Sequence, residues 1–83
     1  EFFKGLSQLG AGYTHYRRGN LHGTHTLMRR ALSRIAGHRP AHRGIELDAL
    51  VEEVERQAAV VEEADRSGGP MPEIEPPGIE AAA

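Results

Sequence analysis

Between Phe2 and Gly37 the apolar residues recur on a helical period, stop once at Arg17-Arg18-Gly19-Asn20, and then resume. A chain written this way is confined to two amphipathic helices joined at a tight corner. Phe2, Leu6, Leu9, Tyr13 and Tyr16 step by 4, 3, 4 and 3 residues and form one seam on a first helix predicted over residues 2–18. Gly19 suits the left-handed residue that follows a helix end, and Asn20 suits the cap of the next helix. The second helix is predicted from Leu21 to about Ala36. Leu21, Thr24, Met28, Ala31, Leu32 and Ile35 make its buried stripe, Leu27 lies at the edge, and Gly37 is the expected stop. So short a corner makes the two helices antiparallel neighbours.

Gly5 and Gly12 lie one heptad apart on the shoulder of the first helix, where absent side chains let a neighbour approach. With Gly10 they cost roughly 1 kcal/mol each relative to alanine, which points to a packing role. A polar loop broken by Pro40 spans His38 to Gly44. A third helix is predicted from about Leu47 to Asp65, with Leu47, Leu50, Val51, Val54, Ala58 and Val61 on one side. Glu52, Glu53, Glu55, Arg56, Glu62 and Glu63 take the other, with Glu52–Arg56 as a supporting pair one turn apart. Asp48 near the helix start suits the positive end of the dipole. The fold class expected is therefore all-α, a small helical bundle built from an antiparallel pair and a third helix.

Residues 67–83, with Pro70, Pro72, Pro76 and Pro77 among glycines, form no long regular element. The composition favours disorder, with an extended strap across the bundle as the alternative. Residues 1–66 then make a single domain near the lower size limit for an unassisted core. There is no cysteine to staple it. Because the helical period is already running at Phe2, the bundle is expected to be completed by an upstream helix or a partner subunit, which makes a homo-oligomer the expected state. No apolar run approaches the ~20 residues of a membrane span. A cysteine-free chain without a signal-like segment reads as cytoplasmic.

The net charge of −2 conceals two opposed halves: residues 1–44 sum to +7 and residues 45–83 to −9. Such a split accompanies nucleic-acid binding in a minority of proteins; more often the halves neutralise each other. The basic half lacks interleaved aromatics and helix-turn-helix spacing, so a nucleic-acid partner is the weaker reading. The arginines Arg17, Arg18, Arg29, Arg30 and Arg34 either bind phosphate or pair with the acidic face of the third helix, and pairing is the commoner fate.

No nucleophile–base pair, phosphate loop or closed metal motif is present. The chemistry-bearing candidates are histidines. His22 and His25 share the first turn of the second helix, and His15 comes just before the corner. Three imidazoles at one corner suit Zn or another divalent ion with an open position for water, although no carboxylate stands near them in sequence. Solvated or core-edge histidines are the competing account. Gln8, His15 and Arg18 form a polar stripe opposite the aromatic seam, beside Ala11 and Gly12, with room for another element to pack over it. Asn20 at the corner joins this candidate polar site.

The run Phe2-Phe3-Lys4-Gly5-Leu6-Ser7-Gln8-Leu9, then His15-Tyr16-Arg17-Arg18-Gly19-Asn20, then Gly23 to Leu32 resembles domain-of-unknown-function family 309. Gly44-Ile45-Glu46-Leu47-Asp48-Ala49-Leu50 is similar to that family's entry into its later helix, so the resemblance spans roughly residues 2–60. It implies a compact all-helical prokaryotic domain described as a predicted metal-dependent hydrolase. The His-Glu motif behind that description belongs to a helix preceding Glu1. Gln8 and His15 match positions on the following helix that face the motif. The resemblance thus implies His15 as a residue near a divalent metal, and no activity for these residues without the earlier helix. A non-catalytic helical oligomer is the alternative function.

Overall fold

A computed structural model describes residues 2–39, 41–42 and 45–78. Three helices carry the fold: α1, Phe2–Arg17; α2, Leu21–Ile35; and α3, Asp48–Ser67. Among the described residues none is long and apolar enough to cross a membrane. The architecture is the expected all-α bundle.

The corner after α1 closes as a Schellman turn. Gly19 adopts φ +78°, its N–H donates to Tyr16 O, and Asn20 N–H donates to His15 O. Asn20 then caps α2 by accepting from Gly23 N–H at 2.9 Å. At the other end of α2 the expected stop at Gly37 is not used: a 3₁₀ turn, Ala36–His38, follows the helix, with Gly37 inside it. Two residue pairs of antiparallel β-structure follow, β1 (Ala41–His42) within the expected loop and β2 (Ile45–Glu46) just after it. Pro40, Arg43 and Gly44 lie outside the described residues, as do Glu1 and the end of the tail from Ile79.

The central helix is α2, which packs on both α1 and α3. Phe2, Leu9 and Tyr13 from α1 meet Met28, Ala31, Leu32 and Ile35 from α2, and Leu50, Val51, Val54 and Ala58 complete the core from α3. The apolar stripes read from periodicity are the stripes that are buried, with Leu6, Tyr16 and Leu21 half-buried at their edges. Gln57 is also buried on α3, a polar residue inside an apolar face.

Gly5 and Gly12 have the close-approach role their spacing implied. A Cβ at Gly5 would sit 2.9 Å from Ile35 Cγ1, and one at Gly12 would sit 3.3 Å from the Thr24 carbonyl oxygen. Gly10 does not share that role, because a Cβ there meets nothing within 4 Å. The same substitution should therefore have opposite signs at two positions of one helix. Gly10→Ala is expected to stabilise by about 1 kcal/mol through helix propensity. Gly5→Ala is expected to destabilise by about 1–2 kcal/mol as overpacking outweighs that gain. Urea titrations followed by circular dichroism read both; equal signs would refute this packing of α1 on α2.

Through residue 78 the tail lies extended against the bundle. After Gly68, at φ +68°, closes α3, the chain turns back over the bundle. Tyr16 Oη donates to Pro72 O at 2.7 Å and accepts from Ile74 N–H at 3.2 Å. Gln57 Nε2 donates to Glu75 O at 2.9 Å, and Ile74 packs against the core. The strap alternative describes these residues.

Candidate metal centre

His22 and His25 stand three residues apart in the first turn of α2, and the last full turn of α3 brings Asp65 beside them. The ligand atoms of these three residues all lie within 4.8 Å of one another, the metal-type cluster found among the described residues. His25 Nε2 donates to Asp65 Oδ2 at 2.9 Å, since a carboxylate can only accept. His22 Nδ1 stands 3.6 Å from the same oxygen. The two imidazoles meet edge to face, with centroids 5.2 Å apart. Ligand atoms around a tetrahedral zinc are separated by roughly 3.3 Å, against the 4.8 Å within which these three lie.

The setting is electrostatically mixed. The hydrogen bond from His25, followed by the charges of His25 and His22, holds the Asp65 carboxyl below its ordinary range. One turn back, Arg29 grips Glu62 with both arms of its guanidinium, at 2.9 and 2.7 Å, and this hydrogen bonding holds Glu62 low as well. The Arg29–Glu62 fork ties α2 to α3 and fixes the register that sets Asp65 opposite the histidines. His25 is the most protected ligand, with 16% of its side chain exposed; His22 is largely in solvent at 78%.

His15 is not in the cluster. The Asn20 side-chain amide, which can only donate through nitrogen, lies 3.1 Å from His15 Nδ1. That nitrogen therefore accepts, and a neutral ring carries its proton on Nε2. His15 is thus built into the corner with the Asn20 cap, and a Cβ at Gly23 would collide with both, at 3.0 Å from His15 Cγ and 2.7 Å from Asn20 Nδ2. Gln8 is half-buried; its Oε1 is buried with no hydrogen-bond partner among the described residues. Arg18 is exposed.

Of the arginines weighed for phosphate or pairing, Arg29 pairs with Glu62 at 2.7 Å; outside that set, Arg39 pairs with Asp48 at 2.7 Å. Arg17, Arg18 and Arg30 make no ion pair among the described residues. Arg56 takes Glu53, one residue nearer than the expected Glu52. Two important residues escaped the sequence reading. Gln57 stands a heptad after Leu50, and a polar residue at such a position was the available signal. Asp65 follows Val61 by one turn, yet nothing local ties it to residues forty positions earlier.

A scan of family models and searches of curated proteins and solved structures returned no match to this chain.

Proposed function

We propose that this chain binds a divalent metal ion of the zinc class through His22, His25 and Asp65, as part of a helical protein of the metal-dependent hydrolase type. The single observation that carries the reading is the convergence of two imidazoles and one carboxylate, from two helices, within 4.8 Å. Two His and one Asp are a borderline-soft nitrogen and oxygen set that suits zinc and leaves a fourth position open. A metal held this way supplies a bound water of lowered pKa, the attacking group of hydrolytic chemistry. His25 and Asp65 would hold the ion, and Arg29–Glu62 would keep the two helices in register beneath it. The hydrolase assignment itself rests on the family resemblance, and the cysteine-free composition fits a cytoplasmic setting.

Calorimetric titration of the untagged chain with zinc tests the site. At a hundredfold excess of zinc over its dissociation constant, binding to the folded state is expected to stabilise the chain by about 2.7 kcal/mol. Asp65→Ala is expected to weaken zinc binding at least about tenfold, a difference of about 1.4 kcal/mol. His15→Ala is expected to leave it unchanged. Loss of zinc in His15→Ala with retention in Asp65→Ala would move the site to the corner histidine and reject this assignment.

Self-association is the second reading, favoured by the exposed Phe3, Val60 and Met71 side chains, 57%, 38% and 44% exposed. A monomer by light scattering across micromolar concentrations would end it. Oligonucleotide binding through Arg17, Arg18 and Arg30 is weaker still, and needs affinity that falls steeply with salt.

A further inference from the structure

We infer that the cleft between α1 and α3 is a docking site for an extended peptide with a branched aliphatic residue between acidic ones, and that residues 72–77 are its resident occupant. The inference is independent of the metal cluster, which lies at Asp65 and the α2 N-terminus rather than under the strap.

The way the strap is held carries this. Its main chain is read by side chains. The Tyr16 hydroxyl uses its proton on Pro72 O and its lone pair on Ile74 N–H, while Gln57 Nε2 reaches Glu75 O. None of these contacts specifies a side chain, so they serve any extended backbone of suitable course. Side-chain selection falls to Ile74, half-buried against the core, while Glu73 and Glu75 on either side face solvent. This inside–outside alternation is that of a bound strand, and it defines the chemistry of the occupant.

The cleft also contains a polar group held toward the strap by residues outside it. Gln57 is 2% exposed with the strap in place. Tyr13 Oη donates to Gln57 Oε1 at 2.5 Å, and Glu53 accepts from Gln57 Nε2 at 2.7 Å. The remaining Nε2 proton goes to the strap carbonyl. In a vacated cleft the Gln57 Nε2 proton would turn to water, and another carbonyl-bearing strand would compete for it.

Finally, the strap does not fill its seat. An open groove of roughly 500 Å³ runs beside it between Arg56 and Glu73, and smaller spaces of roughly 170 Å³ flank Pro77 on two sides. The arrangement is that of a tethered segment occupying a recognition cleft, with Gly68 and Gly69 as its tether.

The test uses the full chain and a fluorescein-labelled peptide of residues 70–78. In Ile74→Asp, the charge at the apolar seat is expected to eject the strap, seen as rapid proteolysis after Met71, and peptide affinity is expected to rise at least about tenfold over wild type. Adding Tyr16→Phe is expected to lower that affinity at least about 5-fold, the worth of two hydrogen bonds. A strap-released variant that keeps its helical circular dichroism and binds no peptide overturns the inference. So does equal binding with and without Tyr16. If Ile74→Asp loses its helices, Ile74→Gly replaces it. In isotope-labelled wild type, millimolar unlabelled peptide should shift the Ile74 amide toward its unstructured position; an unmoved amide at saturation also overturns the idea. A concentration-dependent wild-type dimer, abolished by Ile74→Asp, would show that the occupant is another copy's strap and reject the separate-peptide assignment.

Discussion

Met28→Ala is expected to leave the chain largely unfolded in dilute buffer at ambient temperature. Met28 is fully buried on the helix that both others pack against, and its Cγ is 3.8 Å from where a Cβ at Gly12 would be. The thioether thus fills space that the glycine opens, at the point where α1, α2 and the α3 face converge. Truncation removes the transfer energy of the side chain and leaves a cavity that three regular helices cannot collapse around. The cost is about 2–5 kcal/mol. A bundle of this size without staples has about 3–5 kcal/mol in total. The loss therefore matches the whole stability. Circular dichroism in a urea series reads the outcome, with Met28→Leu, which conserves volume, as the control. If Met28→Ala retains a cooperative transition displaced by less than about 1 kcal/mol, α2 is not the keystone of the core.

The second large effect concerns Tyr13 and Gln57, which join α1 to α3 across the core. Tyr13 Oη and Gln57 Oε1 satisfy each other, so Tyr13→Phe or Gln57→Leu alone strands a partner and is expected to destabilise by about 1–3 kcal/mol. The double variant removes both polar groups together and is expected to cost less than the sum of the two. That non-additivity is the signature of direct coupling. Additive losses would mean that the 2.5 Å contact contributes nothing. The same pair predicts an alkaline transition. Burial, reinforced by the charge of Glu53 and opposed by Arg56, pushes the Tyr13 phenol from 10.0 to about 12. A raised folded-state value means the stabilisation is complete below pH 10.0 and is lost as pH rises toward about 12. Ultraviolet titration of phenolate, with unfolding followed in parallel, should show Tyr13 ionising late, together with the loss of helix. Gln57→Leu should move that transition without abolishing it.

Much of the architecture was legible because its causes are local. A helix is specified by a stripe repeated every 3.6 residues and ended by residues whose own backbone preferences stop it. The seam from Phe2 to Tyr16, the stripe from Thr24 to Ile35, and the Gly19-Asn20 corner are all cases of this. The boundaries of α3 drifted by one or two residues, from 47–65 to Asp48–Ser67, because the end depends on where Gly68 can turn left-handed. Gly37 misled for the converse reason: a glycine permits a helix end and does not impose one.

The candidate site was only half legible. His22 and His25 are a turn apart on one helix, so their convergence is a local fact. Asp65 reaches them only because α2 and α3 cross with Arg29 set against Glu62. His15 looked equally eligible in sequence, but the corner gave its Nδ1 to Asn20. Gly5 and Gly10 were indistinguishable as residues, and only the position of α2 separates a packing glycine from a superfluous one. The tail shows the same division. Its prolines preclude helix whatever surrounds them, but whether it wanders or lies down depends on Tyr16 and Gln57, presented by two different helices. Periodicity and backbone preference act between residues a few positions apart and can be read along the chain. Hydrogen bonds and ligand clusters need atoms brought within about 3 Å from distant positions, and only the packing of the helices decides which residues those are.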